Sequence, residues 1–475
     1  MNKRLLALPL AALLLLSACG RPQADPAPQP ETPPVTDAPP VTPEVPAAPA
    51  EAGDYLPATD AYAGMNDPAF WAALCAAPDE LRMTAEDIAA YNASAVSNAE
   101  ALCADLDGYP ESLDRYALEK AVKTYGQQPS AEMYTGAERI TGGQQGEIYN
   151  NLNLAGIADR NPVRCGFIVR TAALRTWPSP LELYDSANDL EYDKARETTL
   201  RLWEPVLALH ASADGAWLLV QAYNYLGWVA AEDVALTDRA EWTRLRGLDF
   251  LTVRAARLAL GDSVYTPALN GTVLTMGVRL PLSGSEAVDN AAAVSAHSVL
   301  LPLRAEDGGL TLAEARVPYS EDVCLGCPAL TDRALLEQAF RLLGQRYGWG
   351  GMFGGWDCSS ICADIYAVFG VMLPRNASRQ IRTGTVHDLS AASEEEKLAL
   401  LADCRPGALV EIRGHMMFWL GVYDGTGYVF HSTYGFQPAG QPFTVTNSVV
   451  VSSVDALRSG GGTILENVRA ASEIE

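Results

Sequence analysis

Cys358 opens an apolar run of helical period, and two of the chain's five histidines, His415 and His431, bracket an apolar hairpin downstream of it. Ile361, Cys362, Ile365, Tyr366 and Phe369 recur every three to four residues and mark one face of a helix. Gly370 and Pro374 supply its stop signals. Cys358 then falls in the first turn, where unpaired backbone N–H groups and the helix dipole favour an anion. A free thiol is mostly protonated near neutral pH and needs an imidazole or a helix N-terminus to act as a nucleophile. The segment offers both. The competing reading is a buried structural thiol, the common fate of a lone cysteine.

His415 stands at the head of the apolar strand Met416–Tyr423, and Tyr428–His431 runs back from a turn at Asp424-Gly-Thr-Gly427. That order suits His415 as base and His431 as the group that orients it, on a rigid hairpin frame. The register raises a difficulty. A tight turn at those residues pairs His431 with Leu420, five residues from His415, too far for a hydrogen bond. It also puts the two imidazoles on opposite faces. A bulge or a wider turn is required to bring them together.

Tyr347-Gly-Trp-Gly-Gly351, Asp357-Cys-Ser359, Leu373-Pro-Arg-Asn-Ala-Ser378 with Gln380, Arg405-Pro-Gly-Ala-Leu-Val410 and His415 together resemble the NlpC-type family of papain-like cell-wall peptidases, from about Thr331 onward. Ser360 stands where the family usually has Gly, and Ala408 where it usually has Asp. The resemblance implies a cysteine peptidase with Cys358, His415 and His431 as catalytic residues. It implies cleavage of the γ-D-glutamyl–diamino-acid bond of a peptidoglycan stem peptide with a free N-terminal L-Ala. Asp357 and Ser359 match positions placed to contact that amino end, Tyr347 is expected to line the groove, and Arg375 to brace the loop after the helix; the alternative for Asp357 is that it only caps the Cys358 helix. Neither a metal nor any other cofactor is expected. Two alternatives stand beside this reading: an amidase or acyltransferase of the same fold, and a wall-binding lipoprotein without activity.

The N-terminus speaks to the compartment. Lys3 and Arg4 precede the apolar stretch Leu5–Leu16, and Leu16-Ser-Ala-Cys19 reads as a lipobox. The apolar run is short for a membrane span. Residues 1–18 are expected to be a lipoprotein signal peptide. Cys19 would then carry the lipid, and 19–53, rich in Pro, Ala and acidic residues, would be a tether unable to bury a core. The protein is expected at the cell envelope, held to the membrane through its lipid. Its partners would be peptidoglycan or its stem peptides. The net charge of -24 argues against nucleic acid.

Between tether and peptidase the pattern changes twice. Residues 54–160 read as a helical domain, with Thr84-Ala-Glu-Asp87 as a capping box. Residues 161–240 alternate in short strands with a hairpin signal at Asp214-Gly215 and resemble a bacterial SH3-like barrel. Residues 241–325 suggest a second, weaker one, and 330–475 the peptidase. The expected class is α+β: a C-terminal papain-like domain, two small SH3-like β-barrels and a helical N-terminal region. Of the remaining cysteines, Cys75 and Cys103 are candidates for pairing in an oxidising compartment. Cys324-Leu-Gly-Cys327 has no partner motif for zinc and reads as a turn or a local disulfide.

The lipobox reading is open to a direct check. Cys19→Ser is expected to move the protein from the membrane to the soluble fraction, because stable anchoring needs more than one acyl chain. Retention of the variant on membranes would mean an uncleaved signal anchor.

Overall fold

The computed structural model describes residues 59–97, 102–458 and 460–475. The signal segment, Cys19 and the tether lie outside them. Among the described residues no helix is long and apolar enough to cross a membrane.

The C-terminal region is built on a six-stranded sheet. Its strands run in the order Thr385–Asp388, Val468–Glu473, Leu409–Ile412, His415–Tyr423, Thr426–Phe436 and Thr444–Ser453. Alternation along the strands feeds two apolar layers. Met416, Phe418 and Phe430 join one layer with the helices Asp332–Phe340 and Cys358–Val368. Met417, Trp419 and Val429 join the other, beneath the helix Glu394–Asp403. Tyr366 ties the Cys358 helix to the sheet entrance, its hydroxyl donating to the Gly407 carbonyl at 3.0 Å.

The described residues of the expected helical region 54–160 divide between two apolar cores. Its first part, with helices Pro68–Leu74 and Ala85–Ser97, buries Trp71, Met83 and Tyr91 in the peptidase core beside Leu335, Ile361 and Tyr366. Its second part, with helices Arg115–Val122 and Gly142–Asn151, buries Leu118, Ile148 and Leu152 against Phe167, Trp177 and Trp228 of the next region. Helical periodicity reveals an apolar face but not the partner that face will cover. The capping box is present: the Thr84 amide donates to Asp87 at 2.8 Å and the Asp87 amide to Thr84 Oγ1 at 3.2 Å.

The middle region has a seven-stranded antiparallel sheet between Arg164 and Thr237, with Gly215 at positive φ in the hairpin the sequence marks. Residues 250–325 instead form a three-stranded sheet and separate two-stranded ladders. They share one apolar core with the preceding sheet: Leu251, Leu280 and Val299 lie in the same cluster as Leu207 and Trp203. Cys75, Cys103, Cys324 and Cys327 are free thiols. Cys324 lies in the strand Val323–Leu325, paired with Thr252, and Cys327 follows a bend at Gly326, whose carbonyl accepts from Thr252 Oγ1 at 2.6 Å.

Phe430 is the central test of this packing. It is fully buried and its ring meets Phe340 at 5.1 Å and Phe418 at 6.3 Å between centroids. Phe430→Ala is expected to destabilise the C-terminal region by about 3–5 kcal/mol, read as a lower urea midpoint of its unfolding transition. An unchanged midpoint would contradict the two-layer core.

Candidate active site

The Cys358 helix starts where it does because Asp357 caps it. The Asp357 carboxylate accepts the Ser360 amide at 3.0 Å, and Ser360 Oγ accepts the Asp357 amide at 2.9 Å. Ser360 thus completes a capping box that a glycine there could not. Cys358 is the first residue of the helix and is partly exposed. Burial pushes its thiol up to about 11, with the Asp357 charge adding to the rise. The Met416 backbone, the Arg375 guanidinium and the Ser359 backbone oppose that rise. Cys358 packs against the apolar layer that includes Met416, the residue after His415.

His415 Nε2 and His431 Nδ1 are 2.8 Å apart, and His431 Nε2 is 3.0 Å from Ser452 Oγ. The register objection is resolved by a narrower turn and a bulge. The hairpin turns on Asp424-Gly425 alone, both at positive φ, and pairs Tyr423 with Thr426. Gly421 pairs with Tyr428 but Trp419 with Val429, so Leu420 is the extra residue. The bulge changes the parity. Phe418 then faces Phe430, and continuing that register sets Met417 opposite His431. His415, two residues on, becomes its diagonal neighbour on the same face. No hydrogen bond between described residues joins the Cys358 thiol to either ring. Ser432 fixes the frame instead, its hydroxyl donating at 2.6 Å to the carbonyl of Trp356, two residues before the thiol.

Both imidazoles are held neutral. Burial, reinforced by Arg458, lowers His415 to about 4, against a smaller upward pull from Asp357. Burial and the neighbouring His415 hold His431 well below its ordinary range. Neutral imidazole has one donor and one acceptor nitrogen. If His431 Nε2–H donates to Ser452, His431 Nδ1 accepts from His415 Nε2–H, and His415 Nδ1 keeps a free lone pair. The reverse sense would put the proton on His415 Nδ1 and leave no base there. Ser452, fully buried, is the member of this chain that sequence reading did not single out. A run of three valines ending in two serines, Val449–Ser453, is a weak signal for it.

The other expected site residues are turned inward. Asp357, Ser359 and Tyr347 are 6%, 5% and 7% exposed. The Asp357 carboxylate accepts from the Ser360 amide, the Ser359 hydroxyl, the Gly350 amide and Arg375 Nη2. Its acceptor directions are filled from within the protein. Burial pushes this carboxyl up, but Arg375 and the Ser360 and Gly350 amides outweigh it and hold it below the usual range. An ammonium at Asp357 would have to displace one of them, so the geometry makes Asp357 a cap and an anchor for Arg375. Ser359 Oγ accepts from Arg375 Nη1 at 2.9 Å. Tyr347 lies near the thiol and the Asp357 charge, and burial followed by those two groups raises its hydroxyl.

Arg375 reaches beyond its own domain, its Nε donating to Thr198 Oγ1 at 2.6 Å. Arg196 Nε donates to the Gly350 carbonyl at 2.9 Å and Arg196 Nη2 to the Gly351 carbonyl at 3.1 Å. Gly351 has φ +80, and a Cβ there would sit 2.0 Å from Thr199 Oγ1. Tyr192 inserts among Tyr347, Trp349 and Tyr434, with centroids about 6 Å away. One wall of the cleft therefore belongs to the preceding β-region.

Residues 344–439 match the NlpC/P60 family. The C-terminal domain is an NlpC/P60 domain. Residues 183–230 match an SH3 domain of SH3b1 type, upstream of it. Among solved structures, an NlpC/P60 endopeptidase from Photobacterium damselae subsp. piscicida has a similar fold. Its TM-score is 0.64 at 18% identity, over 80% of this chain and 88% of that one. An NlpC/P60 family protein from Bacillus cereus ATCC 10987 aligns at 20% identity over 65% of this chain and 99% of its own, with a TM-score of 0.45. At 18% identity the likeness to the Photobacterium protein is one of fold. No curated protein matches the chain.

The depressed histidines set a pH dependence. A buried imidazole that is neutral when folded binds a proton on unfolding once the pH is below its ordinary value of 6.5. The stability it contributes is complete above pH 6.5 and is lost as the pH falls toward the folded value near 4. The thermal midpoint of the NlpC/P60 domain is therefore expected to fall between these limits, with a flatter profile in His431→Asn. Parallel profiles for the two proteins would place the pH sensitivity elsewhere.

Proposed function

We propose that this protein is a peptidoglycan stem-peptide hydrolase that cleaves the γ-D-glutamyl–diamino-acid bond through a thioacyl-enzyme. The observation that carries the reading is the chain His415–His431–Ser452, which starts one residue before Met416 of the layer that Cys358 packs against. With His431 Nε2–H donating to Ser452, it leaves His415 Nδ1 bare as the base for a thiol at a helix N-terminus. The coarser reading, a cell-wall hydrolase of the cysteine peptidase type, is supported by the NlpC/P60 and SH3 matches together.

In this mechanism His415 Nδ1 takes the Cys358 proton as sulfur attacks the scissile carbonyl. The imidazolium donates through Nε2 to His431 Nδ1, which can accept only while His431 Nε2–H is held by Ser452. The backbone N–H of Cys358, free at the helix start, meets the oxyanion. Collapse breaks the C–N bond, and His415 returns its proton to the leaving amine. Water, deprotonated by His415, then hydrolyses the thioester and restores the thiol. Since Asp357 is occupied within the protein, recognition of a free L-Ala amine would rest on other groups along the cleft. Lipid at Cys19 would hold the enzyme at the envelope, within reach of the wall.

The test is mass spectrometry of an L-Ala-γ-D-Glu-diaminopimelate digest. The proposal expects the dipeptide L-Ala-γ-D-Glu and free diaminopimelate, no products with Cys358→Ala, and slower cleavage of the N-acetyl peptide. His415→Ala should lower kcat/KM by roughly 100-fold or more, at least as much as His431→Ala. Ser452→Ala should lower it less, with Ser452→Thr restoring part of the loss. Hydrolysis by Cys358→Ala would overturn the cysteine mechanism. Equal rates for blocked and free peptides would favour an enzyme acting on amide-linked wall.

A further inference from the structure

Three unlike metal-binding side chains meet at the far end of the catalytic sheet. His387 lies on the edge strand Thr385–Asp388, Glu473 on the adjoining terminal strand Val468–Glu473, and Cys404 caps the helix Glu394–Asp403. One ligand atom from each lies within 4.8 Å of the other two. The sheet order puts the terminal strand two places from the strand of His415. This cluster has no part in the peptidase mechanism above.

Its geometry is unlike a closed hydrogen-bond network. His387 Nε2 is buried and has no hydrogen-bond partner. It faces Glu473 Oε1 at 3.5 Å, longer than a hydrogen bond between these groups. Tetrahedral zinc with bonds of about 2.0–2.1 Å to nitrogen and oxygen separates such ligands by roughly 3.3 Å. The observed spacing is closer to that edge. Glu473 Oε2 is fixed by the Arg405 amide at 3.1 Å, which leaves Oε1 directed at the histidine. Cys404 is buried, and its thiol donates to the Leu400 carbonyl at 3.4 Å, a hydrogen bond that metal binding would replace. A bound zinc ion would hold the sulfur as thiolate.

We propose that His387, Cys404 and Glu473 form a zinc site that clips the terminal strand and the edge strand to the end of the 394–403 helix. Nitrogen, sulfur and oxygen donors together suit a borderline-soft ion and disfavour calcium or magnesium. Three protein ligands leave a fourth position for water. The site's place on the outer strands makes it a structural clip, and cleavage at Cys358 does not depend on it.

The experiment uses the full chain carrying Cys358→Ala, so that the nucleophile cannot take up metal. The probe is zinc chloride alone, followed by desalting and measurement of metal content. Cobalt substitution then tests for sulfur ligation by its near-ultraviolet charge-transfer band. One ion per chain, a cobalt–thiolate band and a raised thermal midpoint are expected. His387→Gln, Cys404→Ser and Glu473→Gln should each weaken binding by at least roughly 100-fold, the upper range for losing only an outer-shell partner. Cys324→Ser/Cys327→Ser should bind zinc as the parent does. His387 is part-exposed, so its variant stays informative if Cys404→Ser fails to fold. No retained zinc, or equal retention in His387→Gln and the parent, would overturn the site.

Discussion

The hydrogen bond between His415 and His431 is the contact on which the catalytic reading depends, and a single extra residue makes it possible. Without the bulge at Leu420 the hairpin would set the two rings on opposite faces of the sheet. With it, a run of three side chains leads from half-buried His415 to buried Ser452, and each member has one proton to place. Buried polar chains of this kind are costly when half satisfied and rigid when complete. Here burial keeps both rings neutral, which a base awaiting a proton requires.

The nucleophile is held by a second set of contacts that reaches across domains. Asp357 caps the helix of Cys358 and grips Arg375, and Arg375 grips Thr198 of the SH3-bearing sheet. The Gly350–Gly351 turn adds carbonyls that Arg196 binds, and its positive φ and tight approach to Thr199 exclude any larger residue at Gly351. Removing one partner of a buried ion pair is costly because the other charge is left unpaired. The SH3 region therefore helps set the position of the helix that carries the thiol, besides lining the cleft.

Much of this was legible before any coordinates, for identifiable reasons. The Cys358 helix and its stop follow from a 3.6-residue period, and Asp357 as cap follows from the chemistry of first turns. The hairpin and both histidines were visible, and so was the need for a bulge, but not its place at Leu420 or the shorter turn at Asp424-Gly425. The N-terminal helices were recognisable as amphipathic, yet nothing local shows that Trp71 packs into the peptidase core while Leu118 packs into the β-region. Asp357 also looked free to meet a substrate, because its partners Gly350 and Arg375 approach from separate loops. His387, Cys404 and Glu473 match no ligand spacing, since strand pairing and a helix end bring them together.

Nitrogen-15 NMR of the resting protein labelled at its histidine rings tests the central claim most directly, because it reads which ring nitrogen carries each proton. The account predicts that at neutral pH His415 and His431 are both neutral and protonated at Nε2. The Nδ1 of His415 should be bare and that of His431 should accept a hydrogen bond. A His415 ring protonated at Nδ1 and bare at Nε2 would contradict it, since the chain from Ser452 would then run the wrong way to leave a base for Cys358.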